Sequence, residues 1–369
     1  MRDLIVFGED FGGLPSSTQH IVCRLAKFRR VVWVNSIGLR KPRFNANDIS
    51  RAVNKIFGKS KHGYQPAHID SNIDVINIKT IPAPESRVAR KLARTLILKQ
   101  LAPILKKRNI TDPILWTSLP TASDLAGYLD EYSVVYYCGD DFSSLEGVDH
   151  KVVSAHEKRL VKKADLILAA SEKLCAKFPL EKTRYLPHGV DTELFATPIK
   201  RALDLPTTGK PIAGFYGSLS KWLDYDLIEH ICLTQPEWEF VFIGPNELKH
   251  FPLPTLNNVH YLGPKPHHEL PSYSQHWDAS LIPFALNEQI RSCNPLKLLE
   301  YLAVGKPIIT TPFPALKGYE QHVHIAENTN EFANALSLIS TRTHYLEPIN
   351  IDHSWESRSH YVNSLLESL

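Results

Sequence analysis

The sequence predicts an α/β protein made of two doubly wound halves, each a parallel sheet covered by helices on both faces. Three observations lead there. The chain has 369 residues, enough for two domains of about 150 to 200 each. Its 43% hydrophobic and 22% charged residues are those of an ordinary globular protein. Short apolar, β-rich runs alternate with segments of helical spacing, and this alternation occurs twice.

In the first half the strand-like runs are 3–8, 31–36, 73–78, 113–118, 133–138 and 165–170, apolar on both faces. Helical spacing fills 16–28, 85–108, 121–131 and 149–163. The second half repeats the pattern with strands at 211–217, 239–244, 258–263, 278–284, 307–311 and 322–326. A last helix is expected from Ser354, as N-cap, to Leu369. The stretch 187–211 is rich in Pro, Gly and Thr and reads as a connection. The expected domains are 1–190 and 191–352, followed by a C-terminal crossover helix at 353–369.

Five cysteines stand apart with no C-x-x-C pair, which argues for reduced thiols and against a disulfide framework or a zinc ribbon. No uncharged apolar run of about 18 residues is present, and the first apolar run is too short for a signal peptide. A cytoplasmic protein is expected, with peripheral attachment to the inner face of the membrane as an option. The net charge of +3 divides unevenly. Residues 1–190 hold 30 Lys+Arg against 19 Asp+Glu, and the remainder hold 12 against 20. The first half should therefore meet something anionic. Nucleic acid is not expected, since no basic run is interleaved with aromatics.

Three segments carry chemistry. After the first strand come Gly12 and Gly13, then a helix start near Pro15 or Ser16, a turn that lets a ligand approach backbone. A tight turn without a ligand is the alternative, and the G-x-G-x-x-G fingerprint is missing. At the start of the second half, Gly217-Ser218 closes a strand, and a helix is expected near Trp222. Ser218 and Lys221 offer a hydroxyl and a cation there. Asp224 and Asp226 read as first-turn carboxylates rather than a metal pair.

The third segment is SCNPLKLLEYLAVGKPIITTP, residues 292–312. Asn294 and Pro295 look like N-cap and N1 of an oily helix. Lys297 in its first turn is poorly placed against the helix dipole unless an anion is present. Glu300, three residues on, suits the vicinal hydroxyls of a ribose. A solvated Lys–Glu pair is the alternative. Asp140 and Asp141, after the strand SVVYYC, are candidate bases, with turn and cap duty as the other reading. The pair His267-His268 lacks partners at metal spacing.

NPLKLLEYLAVGKPIITT resembles the donor-binding segment of GT-B glycosyltransferases, the family-4-like bacterial enzymes that use nucleotide-sugars. YYCGDDFSSLEG, KADLILAASEKL, RYLPHGVDTELF and YGSLSKWLDYDLI resemble the same group in the same order. The likeness is greatest to polysaccharide-assembly members, including those of teichuronic acid synthesis. The resemblance implies a GT-B architecture with a cleft between two Rossmann-like domains and a final helix returning to the first. Lys297 would contact the donor diphosphate and Glu300 the ribose. Gly12 and Gly13 would approach the diphosphate and transferred sugar, and Gly217 and Ser218 would follow the first strand of the donor domain. Two departures stand out. Ser292 occupies the place of a second glutamate common in relatives, and Ser218 that of an arginine. The diphosphate clamp would then draw on Arg291 or Lys221, and sugar contacts on Asn287 or Glu288.

The expected activity is transfer of a sugar from a UDP-, GDP- or dTDP-sugar to a lipid-linked bacterial surface glycan, without metal or cofactor and with retention. The rivals are a non-catalytic nucleotide-sugar-binding subunit and a GT-B sugar-nucleotide epimerase. The segment from Arg87 to Arg108 aligns Val88, Leu92 and Leu96 among many cations, as an anionic membrane surface requires. A packed helix with a solvated outer face is the alternative, and Pro103 could kink or end it.

Overall fold

The computed structural model describes residues 1–12, 16–36, 71–81, 86–142, 150–341 and 353–369; Gly13 lies outside the described residues. The chain divides into two compact units, Met1–Pro187 with Glu356–Leu369, and His188–Trp355.

Unit 1 is built on seven strands: β1 (Leu4–Phe7), β2 (Val31–Val34), β3 (Ile73–Ile76), β4 (Ile114–Thr117), β5 (Ser133–Cys138), β6 (Leu166–Ala169) and β7 (Thr183–Tyr185). They lie in the order β3-β2-β1-β4-β5-β6-β7 and every pairing is parallel. All residues of β1, β2, β4, β5 and β6 are buried. That is why these runs carry no polar alternation: helices cover both faces. The helices are α1 (Ser17–Leu25), α2 (Arg87–Lys107), α3 (His150–Lys163) and α4 (Glu172–Cys175).

α2 continues through Pro103, burying Ala93, Ile97 and Leu101. The helix expected at 121–131 is only a 3₁₀ turn, Pro120–Asp124. Gly127 and Asp130 follow with φ of +86° and +48°, which a right-handed helix cannot accommodate.

Unit 2 holds α5 (Thr192–Ala196), β8 (Ile212–Tyr216), α6 (Tyr225–Thr234), β9 (Glu239–Ile243), β10 (Val259–Tyr261), α7 (Pro271–Ser274) and β11 (Ala279–Ile282). It continues with α8 (Glu288–Ser292), α9 (Leu296–Val304), β12 (Ile308–Thr310), β13 (His324–Ile325) and α10 (Thr329–Thr341). The sheet order is β10-β9-β8-β11-β12-β13, again parallel. The stretch expected to be a plain connector includes α5, capped by Asp191, whose Oδ1 accepts from Leu194 N at 3.1 Å.

The last helix, α11 (Trp355–Glu367), returns to unit 1. Its anchor is Arg29, whose fully buried side chain donates to Glu367 Oε1 at 3.0 Å and to Asn363 Oδ1. Arg24 pairs with Glu356 at 3.3 Å at the other end of the same helix.

Candidate functional site

In a doubly wound sheet, ligands bind beyond the carboxyl ends of the strands where the order reverses, because the two chains leaving there run to opposite faces. In unit 2 that point lies between β8 and β11. β8 runs into Gly217 and β9 into Gly244, with φ of +140° and +142°. A Cβ on Gly244 would stand 2.0 Å from the Gly217 carbonyl oxygen, so backbone packs on backbone and side chains are excluded.

Lys297 arches over this floor. Its Cε and Nζ lie 3.1 and 3.4 Å from where a Cβ of Gly217 would be. The ammonium stands 5.6 Å from the ring centre of Phe215 and 5.2 Å from that of Phe284. Two aromatic faces thus favour the cation while shielding it from water. Lys297 has no hydrogen-bond or ion-pair partner among the described residues. Burial lowers its pKa, against the opposing charges of Glu300 and the Cys293 thiol.

The helix start beneath it is open. Pro295, not Asn294, is the N-cap, and Leu296 is the first helical residue. The shift by one follows from the extended backbone of Pro295, at φ −72° and ψ 121°. A proline has no side-chain acceptor, so the first-turn N–H groups of α9 receive no side-chain cap. Such a terminus favours an anion. The other end closes on Gly305 in the left-handed region, φ +76°.

Glu300, only 8% exposed, does not pair with Lys297. Its Oε1 accepts from His267 Nε2 at 2.8 Å. His267 opens a 3₁₀ turn, His267–Glu269, and its ring meets Phe195 edge-on at 5.5 Å. The alternative of a solvated Lys–Glu pair therefore does not describe this helix. Sequence reasoning missed this role of His267, because its partner is a carboxylate 33 residues away in the chain.

Burial lowers the imidazole pKa, but the hydrogen bond and charge of Glu300, with Asp191 behind, outweigh it and raise the value above 6.5. The stability this adds is complete below pH 6.5 and is lost as pH rises through the raised native value. Urea midpoints should therefore fall more steeply above pH 6.5 in the wild type than in His267→Gln. Parallel curves would show that the pair contributes nothing.

The other residues singled out in unit 2 spread around this centre. Asn287 is the N-cap of α8, its Oδ1 accepting from Ile290 N at 2.9 Å. Arg291 is exposed and pairs with Glu288 at 3.6 Å. Ser292 ends α8, and Asn294 lies in the link to α9. Ser218 and Lys221 belong to a loop, since α6 begins at Tyr225 rather than near Trp222. Buried Leu219 and Leu223 pin that loop, Leu219 N donating to Pro245 O at 2.9 Å. Asp224 caps α6 through Leu227 N at 2.9 Å, and Asp226 sits in its first turn.

Unit 1 presents its candidates differently. Gly12 has φ +79°, but its N–H already donates to Gln19 Oε1 at 3.0 Å. The Glu9 carboxylate accepts from Ser16 Oγ and from Gln19 Nε2 beside the N-terminus of α1. The turn supplies its own anion there, where a phosphate was one expectation. Asp140 and Asp141 separate in character. Asp141 pairs with Lys177 at 2.7 Å, and Lys177 lies 3.7 Å from Glu157, which accepts from Tyr136 Oη at 2.8 Å. Burial, then the charge of Asp141, raises the pKa of Asp140.

The whole chain aligns with solved structures of other proteins. The Anabaena Alr3699/HepE structure in complex with UDP and glucose aligns over 99% of both chains, with a TM-score of 0.67 at 14% identity. The sucrose-phosphate synthase of Thermosynechococcus elongatus aligns over 100% of this chain and 99% of its own, with a TM-score of 0.70 at 14% identity. The fold is GT-B. Within this GT-B chain, residues 210–341 match the family model described as glycosyl transferases group 1. That segment contains Gly217, His267, Lys297 and Glu300. The GT-B chain is also 29% identical over 222 residues to TuaH of Bacillus subtilis (strain 168), named for a teichuronic acid biosynthesis glycosyltransferase. The match spans 54% of this chain and 56% of TuaH, about half of each.

Proposed function

We propose that this protein is a glycosyltransferase that moves a sugar from a nucleotide-sugar donor to a glycan acceptor. One observation carries the reading: the Lys297 ammonium, without an internal counter-ion, stands over the glycine floor of the unit 2 switch point at an uncapped helix start. That arrangement suits a diphosphate. HepE, with UDP and glucose, and the Escherichia coli trehalose-6-phosphate protein bound with UDP-2-fluoro glucose support a nucleotide-sugar donor.

As the bond to the sugar breaks, negative charge builds on the leaving diphosphate. Lys297 and the N–H groups of α9 stabilise that charge in place and call for no metal. Glu300 accepts from the ribose hydroxyls. Gly217 and Ser218 line the diphosphate, and Gly12 and Gly13 belong to the acceptor-side unit. Transfer proceeds with retention; should it invert, Asp140 is the better base, because Asp141 is tied to Lys177.

Incubation of the protein with UDP-, GDP- and dTDP-sugars and bacterial lipid-linked glycans should release one nucleoside diphosphate and lengthen the glycan. Binding without turnover of any donor would favour a silent subunit, and interconversion of the donor sugar without acceptor would favour an epimerase.

The acceptor is a lipid-linked surface glycan, met at the cytoplasmic face of the membrane through α2. Its Val88, Leu92 and Leu96 are 79%, 52% and 37% exposed, one turn apart. Arg87, Lys91 and Lys99 are exposed beside them. Co-sedimentation with vesicles containing anionic lipid should be lost in Leu92→Glu and weakened by salt. Equal binding of wild type and variant would remove α2 from the account.

A further inference from the structure

We infer that His267 is a positioning residue for the ribose of the donor, holding one oxygen of Glu300 so that the other stays available and Lys297 stays free for the diphosphate. The inference rests on the donor-site reading above and adds to it a residue outside the Lys297–Glu300 helix.

Glu300 and Lys297 are three residues apart on α9, a spacing at which opposite charges pair readily. Glu300 is buried and Lys297 half-buried, which strengthens that tendency. Yet the carboxylate turns instead to His267, which reaches it from the chain between β10 and α7. The imidazole is held by the edge-on contact with Phe195 and has little freedom to leave. His267 engages Oε1 of Glu300, which leaves lone pairs of Oε2 to a further donor. Beside Glu300 stands the hydroxyl of buried Tyr216, a second polar group against the same carboxylate. A carboxylate accepts at both oxygens, so the contact with His267 leaves capacity for another donor. A diol can donate to Oε2.

His267 thus separates two charges that would otherwise neutralise each other. Without it, Glu300 is expected to swing toward Lys297, and both the ribose contact and the free cation are lost. The His267 contact acts through Glu300 and touches no reacting atom.

The test is calorimetric titration with the ribonucleoside diphosphate that the wild type binds best and with its 2′-deoxy counterpart. His267→Ala removes the hydrogen-bond donor. His267→Phe does the same while keeping a ring against Phe195, and so guards against misfolding of the smaller variant. Both should weaken the ribonucleotide about tenfold, a charged hydrogen bond's worth, and bring the ribo-over-deoxy preference close to one. His267→Gln keeps an N–H within reach of Glu300 and should restore the preference. An undiminished preference in a folded His267→Ala or His267→Phe would overturn the inference. If the wild type binds no nucleoside diphosphate at all, the donor-site reading fails first.

Discussion

Lys297→Met should weaken nucleoside diphosphate binding by on the order of 100-fold, the value of one or two charge-assisted hydrogen bonds. It should do so without lowering the thermal midpoint. Methionine nearly conserves the side-chain volume between Phe215 and Phe284, so packing is kept. What it removes is a half-buried cation with no internal partner, whose pKa desolvation has lowered. A lysine with a lowered pKa bears its charge at a cost to the native state at every pH below that value. Removing that cost should leave stability unchanged or raise it. A structural lysine would behave in the opposite way, and calorimetric melting of the variant distinguishes the two.

Gly214→Ala should have the largest effect on folding. Gly214 lies within β8, and the ring of Trp277 packs directly across its Cα. A Cβ there would stand 1.7 Å from Trp277 Cε3 and 2.1 Å from Cζ3. Trp277 is fully buried, its Nε1 donates to Ser280 Oγ at 2.9 Å, and it contacts Tyr216 and Tyr301. It has nowhere to move without breaking the core beneath Lys297 and Glu300. Overpacking of this kind costs about 3 kcal/mol or more. The expected result is a protein whose unit 2 unfolds early in urea and binds no nucleotide. A variant with wild-type stability would show that the ring does not lie across this glycine.

The strands and their parallel, doubly wound order could be read from the sequence because runs apolar on both faces occur only where helices cover both sides. The residue types put the start of α9 one residue early. Asn294 is the better capping side chain by type, yet the extended backbone at Pro295 fixes the boundary. The local pattern points to a start of α6 near Trp222, since nothing local reveals that Leu219 and Leu223 are drawn into the core first. Lys297 and Glu300 were visible as a polar stripe on an oily helix. Their surroundings were not. The ring faces of Phe215 and Phe284, and the hydrogen bond from His267, come from strands and turns distant in the chain. Asp140 and Asp141 looked alike in sequence, and only the tertiary position of Lys177 tells them apart.

The most direct test of the central claim is the thermal shift of the purified protein with UDP, GDP, dTDP and CMP, in wild type and Lys297→Met side by side. A ligand that binds only the folded state raises the midpoint by mass action. A clear upward shift of the wild type with one nucleoside diphosphate is expected, and none in the variant. An equal shift in both proteins would contradict it, because the cation over the glycine floor would then have no part in holding the donor.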